Sequence, residues 1–238
     1  MPLQLQVVTP DGVEAPSGIA LAIAGQPVTE TPDQRHVSFL LQRTEAWWLV
    51  HLAWQNYFAC DAITEPRSRA GEYCYVEFDL FDEYNAFVFV EWIFELQANN
   101  RHTIPYSIDL SDQPRFDAAR NLLPFGVGEG FTCASFVKVV LELYGVKLVD
   151  LQYWPTRESD APWQRYILHR LAGHAPRESI EAQEQLIGTV ARLRPEEVVG
   201  AASFLSTVPV AERAPVPFAT AETAGGQVRG EMVRLNKI

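Results

Sequence analysis

Apolar residues in the first eighty positions of this chain come in short runs broken by proline and glycine, whereas later runs are long enough for helices. Residues 3–8 and 19–24 read as short strands, separated by Pro10, Gly12, Pro16 and Gly18. His36–Leu41 and Trp47–Ala53 are rich in β-branched and aromatic residues and read as a strand pair. The four residues between them, Gln42 to Glu45, are few enough for a hairpin loop. Gly71–Leu80 holds a further strand, with Tyr73, Tyr75 and Glu77 on one face and Cys74, Val76 and Phe78 on the other.

Asp82–Asn100 alternates in places, but its length and opening acids favour a largely buried helix. Ile104–Ile108 is then a short extended piece, and 111–121 has room for a short helix. A glycine-rich approach, Gly126, Gly128 and Gly130, leads into a strongly helical segment, Phe131–Tyr144, with Gly145 as its stop. Further helices are expected at about 160–172, capped by Ser159 or Asp160, at 175–196 and at 195–205. The last thirty or so residues, rich in Pro, Ala and Gly, predict a loosely ordered tail. The expected organisation is one main domain over 1–174 and a helical appendage with tail over 175–238.

Composition narrows the class of function. The 238 residues are 47% hydrophobic, enough for a sizeable core, and carry a net charge of -11. Nucleic-acid binding calls for a basic footprint that this balance lacks, and an anionic membrane surface is disfavoured likewise. No apolar stretch reaches the length of a membrane span, and the first dozen residues do not form a secretory signal. Three scattered cysteines without a C-x-x-C pair argue against a zinc site and suit a reducing, cytoplasmic setting. No cofactor or metal is called for.

The candidate chemistry begins at Cys133. At helical spacing Ser135, Lys138 and Glu142 form a polar stripe, and Cys133 falls on the opposite face with Val137, Val140 and Tyr144. A thiol in the first turn of a helix meets unpaired N–H groups and the positive end of the dipole, which favours thiolate. Gly130 lets the backbone approach a ligand, and the Cys133 N–H is an oxyanion-hole candidate. The same position also suits a small buried hydrophobe. With residues 43 and 44 at the centre of the hairpin turn, His36 falls directly opposite His51. One imidazole could then serve a thiol as base while the other orients it.

The pieces "RHVSFLL", "WWLVHLAW", "IPYSI" and "FTCASFVKVV" occur in an order that resembles the permuted branch of the NlpC/P60 (papain-like) superfamily. That branch includes the lecithin–retinol acyltransferase-like proteins and the bacterial YiiX-like cysteine hydrolases. The likeness covers roughly residues 35–145; Cys133, Phe136 and Val137 match the pattern Asn-Cys-x-x-Phe-Val, and Thr132 replaces its Asn. The resemblance implies a circularly permuted papain-like α+β fold, with an antiparallel sheet packed on a helix that begins at the cysteine. It implies Cys133 as nucleophile, His36 as base and His51 as orienting residue. It also implies hydrolysis of an amide, peptide or isopeptide bond through an acyl-enzyme, on a peptide, protein or other acyl substrate. A thiol acyltransferase or lipid hydrolase, and a non-catalytic binding protein on the same scaffold, are the alternatives.

Around this centre Trp54, Tyr106, Gly130, Thr132 and Trp154 are the substrate-binding candidates. Glu91 is an alternative to His51 as the orienting group, and Arg157 a candidate for recognising a substrate carboxylate.

Overall fold

The computed structural model describes residues 3–9, 12–25, 34–110, 113 and 115–238. Its frame is a six-stranded antiparallel sheet built from β1 (Gln6–Val7), β2 (Ile19–Gly25), β3 (Arg35–Arg43), β4 (Ala46–Trp54), β5 (Tyr57–Ala62) and β6 (Tyr73–Glu77). The strand order is β1-β6-β2-β3-β4-β5. Alternation along the strands sorts the side chains onto two buried faces. Leu21, Ile23, Val37, Phe39, Val50 and Leu52 point into the main core under the helices. Ala20, Ala22, Ala24, Leu40, Leu49, Tyr73 and Tyr75 form a second core with Val8, Ala15, Ile63 and Ala70. The sheet is therefore covered on both sides, which is why β2 reads as an unbroken apolar run. The two faces expected for residues 73–78 agree with this sorting for Tyr73 and Tyr75 on one side and Cys74 and Phe78 on the other.

The hairpin is tighter than a four-residue loop. Arg43 pairs with Ala46 and Phe39 with Val50, so only Thr44 and Glu45 turn the chain. Thr44 takes the left-handed conformation at φ 56° that this turn demands. The centre thus lies one residue later than expected, which moves each partner by two positions. Two is even, so His36 and His51 keep a common face but become diagonal rather than direct neighbours. Each has another direct partner: His36 lies beside Ala24 on β2 and His51 beside Ala59 on β5.

Among the described residues six α-helices follow: α1 (Glu83–Asn100), α2 (Cys133–Leu143), α3 (Ala161–Leu171), α4 (Arg177–Glu184), α5 (Pro195–Ser206) and α6 (Phe218–Arg234). Asp82 caps α1 by accepting from the Asn85 N–H at 2.8 Å. Helix α2 packs on β3, β4 and α5. Its supposed polar stripe is covered: Ser135 and Lys138 are buried, and Lys138 pairs with Glu142 at 2.8 Å. Neither Ser159 nor Asp160 caps α3 with a side-chain bond; Asp160 is committed to arginines instead.

Residues 57–62, for which the sequence predicts no element, form strand β5. Three expectations need correction. Within 111–121, positions 111, 112 and 114 lie outside the described residues, and the remainder forms a turn closed by a Phe116–Leu122 bridge in place of a helix. The helix expected over 175–196 stops at Glu184 and gives way to turns. The C-terminal region is no loose tail or appendage. Val198, Val199 and Leu205 of α5 and Val228 and Met232 of α6 belong to the same core as the sheet. The two helices cross where Gly200 meets Ala224 and Gly225; a β-carbon at 200 would stand 2.6 Å from the Ala224 carbonyl carbon. The small residues that suggested disorder are what permits this close approach. Among the described residues no helix is long and apolar enough to cross a membrane.

Candidate active site

Cys133 is the first residue of α2, so it lies in the first turn as expected, and the helix starts two residues after Phe131. Thr132 caps the helix: its hydroxyl accepts from the Ser135 N–H at 3.1 Å, and the Ser135 hydroxyl accepts from the Thr132 N–H at 2.9 Å. The Thr132 side chain is thus spent on capping the helix. Gly130 is likewise structural. A β-carbon there would come within 2.5 Å of the Pro105 carbonyl oxygen, so glycine lets 129–131 run alongside the extended piece at 105–107. Tyr106 and Phe131 form the bridge between these two segments.

That bridge brings Tyr106 to the thiol. The polar groups around the Cys133 sulfur are the backbone N–H groups of Val37 and Ala134 and the Tyr106 hydroxyl, with the Arg192 guanidinium further out. The Tyr106 hydroxyl also faces the Cys133 backbone N–H. Cys133 is only 4% exposed. Burial pushes its thiol pKa up and outweighs the N–H groups and Arg192, which favour thiolate. The resting sulfur is therefore protonated at neutral pH, contrary to what a helix N-terminus alone predicts. Burial, and then the neighbouring thiol, raise the Tyr106 phenol well above its usual range, so it stays a hydrogen-bond donor.

His36 and His51 meet as the hairpin requires. His36 Nε2 lies 2.6 Å from His51 Nδ1, with the rings 71° apart in an edge arrangement. Burial lowers the His36 pKa to about 4. Burial, and then the positive charge of a protonated His36, depress His51 well below its ordinary value. Both rings are neutral near pH 7, one donating to the other.

The pair and the thiol occupy opposite sides of β3. Cys133 shares its core with Val37, whereas Ala24, the ladder partner of His36, belongs to the second core. The sulfur contacts the backbone of the residue after His36, and the hydrogen bond His36 makes is to His51. Tyr106 joins the two sides. It borders the thiol and also lines a cavity of about 520 Å³ together with His36, His51, Trp54, Tyr73 and Trp163. Its ring packs on Trp54 at 5.1 Å between centroids, and its backbone N–H donates to Gln55 Oε1 at 2.8 Å. The volume lies within the range of small-molecule sites.

Of the substrate-binding candidates, Trp54 and Tyr106 line this cavity, while Gly130, Thr132 and Trp154 do not. Trp154 is buried elsewhere, its indole N–H donating to the Arg192 carbonyl at 3.1 Å and its ring packed on Phe218. Glu91 is bound through both oxygens to Arg43 at 2.9 and 2.8 Å, which takes it away from His51. Arg157 binds Asp160 and Glu197 and so ties α5 to the loop before α3. Among the contributors that sequence reasoning missed are Trp163 of α3 and Arg35, which line the cavity, and Arg192, which acts on the thiol; Arg35 pairs with Glu196 at 2.7 Å. Arg35 directly precedes His36, which is its one local signal; nothing local marks the other two.

Comparison with family models, curated proteins and solved structures found no match.

Proposed function

We propose that this protein is a cysteine-nucleophile acyl hydrolase on a permuted papain-like scaffold, held in a covered resting state. The observation that carries the reading is Tyr106: one buried phenol borders both the thiol at the head of α2 and the cavity that holds the paired imidazoles. The α+β architecture and the motif order around Cys133 support the same assignment.

In the reaction, the Cys133 side chain must first leave Val37 and Tyr106 and pass from the core side of β3 to the cavity side; there it gives its proton to His36 Nδ1. His36 Nε2–H donates to His51 Nδ1, which fixes the tautomer whose Nδ1 lone pair is free. The sulfur then attacks a substrate carbonyl. The tetrahedral oxyanion accepts from nearby donors, for which the Tyr106 hydroxyl and the Val37 and Ala134 N–H groups stand ready. Collapse expels the leaving group, protonated by the His36 imidazolium. Water, deprotonated by the same imidazole, cleaves the thioester and restores the thiol. An amide or peptide substrate uses the acid role of His36 fully, because an amine is a poor leaving group.

The burial of the sulfur and the separation of thiol and imidazoles by β3 favour a second reading, a non-catalytic binding protein whose ligand fills the cavity. Acylation separates the two. Incubated with para-nitrophenyl acetate, an enzyme accumulates an acetyl adduct that peptide mass mapping finds on Cys133, with Cys60 and Cys74 as internal controls. Cys133→Ala abolishes it, and His36→Asn slows its formation roughly a hundredfold. Equal labelling of all three cysteines, or none on Cys133, leaves the binding reading in place.

A further inference from the structure

A second, smaller pocket of about 180 Å³ adjoins the cavity and shares Arg35 and Trp163 with it; Arg192, Arg194, Glu196 and Arg229 complete most of its wall. Four arginines in one wall are unexpected in a chain whose net charge is -11. The acids beside them are largely engaged, although Glu196 Oε2 has no hydrogen-bond partner among the described residues. Glu196 Oε1 accepts from Arg35 at 2.7 Å, and Asp160 lies 2.7 Å from Arg194, also binds Arg157, and is 3.8 Å from Arg192.

Arg192 is the centre of this group. It is 8% exposed, its guanidinium carbon lies over the Trp163 ring at 3.6 Å from the centroid, and its Nε–H is buried with no acceptor among the described residues. A cation desolvated to this degree costs several kcal/mol unless a counter-charge completes it. Burial and the neighbouring Arg194 lower its pKa, to about 10, against the opposing pull of Glu196 and Asp160. It remains charged at neutral pH and open to a further acceptor.

We propose that the pocket of Arg35, Arg192, Arg194 and Arg229 receives an oxyanion, a carboxylate or phosphate carried by the ligand whose remaining length fills the larger cavity. The pocket suits a compact head group, and guanidinium forks match the paired oxygens of either anion. Calling that ligand the acyl substrate rests on the hydrolase reading; the anion site itself does not.

Titration calorimetry of the full chain at low ionic strength, with inorganic phosphate in one arm and succinate in the other, tests the site. Saturable binding of either is expected, and the better ligand distinguishes phosphate from carboxylate. Arg192→Gln weakens it roughly tenfold or more, as the loss of a charge-assisted hydrogen bond predicts. A parent protein that takes the anion but is never acylated on Cys133 loses the hydrolase reading and keeps this one. Circular dichroism shows whether Arg192→Gln folds; if it does not, Arg229→Gln, at an exposed position of α6, carries the test with an expected several-fold loss. No saturable heat with either anion, or unchanged affinity in the folded variant, overturns the proposal.

Discussion

At the scale of single residues, the imidazole pair makes stability depend on pH. An unfolded histidine titrates near 6.5, while burial holds folded His36 near 4. Between those values the unfolded chain binds more protons, so stability is fully present above about pH 6.5 and is lost as pH falls towards 4. The contribution is on the order of 3 kcal/mol for His36. Thermal melts from pH 7 down to 4.5 are expected to show a falling midpoint, and His36→Asn to flatten that slope; an unchanged slope would mean that the ring is not buried neutral. The meeting of His36 with His51 could be read from the chain, because period-two alternation survives an even error in register. The state of the thiol could not. The head of a helix favours thiolate, but Val37, Tyr106 and the packed core around Cys133 come from distant segments, and their desolvation prevails.

Among the elements, α2 depends most on its own sequence. Thr132 and Ser135 cap each other reciprocally, and both are buried, so their hydrogen bonds have no ready substitute in water. Thr132→Ala is expected to cost about 1–2 kcal/mol in urea denaturation, whereas Thr132→Asn keeps an acceptor at the cap and costs less than about 0.5 kcal/mol. Equal losses would assign the effect to packing. Local chemistry of this kind made the placing of Cys133 in a first helical turn, the acid-led start of α1 and the hairpin visible in advance. Strand β5 was hidden because its aromatic residues suit a core as well as a strand. The tail was misjudged because Gly and Ala at 224–226 signal weak propensity and, equally, close helix contact.

Across the whole molecule, the last forty residues hold the sheet as much as they follow it. Helix α5 packs on β2, β3 and β6, and α6 packs on α5 through the glycines at 200 and 225. Gly200→Ala must push apart two backbones, with an expected loss of about 2–3 kcal/mol in the global unfolding transition; a local effect that spares the midpoint would show α6 to be a separable unit. The beginning of β3 is where the layers of the protein converge. Arg35 reaches Glu196 in α5, His36 reaches His51, and Val37 presents its N–H to Cys133. In a ladder, one step along the chain is a passage through the sheet. Exchanging the side chains at 36 and 37 would carry the imidazole to the sulfur's side without altering the length or pairing of the strand. The identity of a single neighbouring position thus decides whether base and nucleophile share a room or a wall.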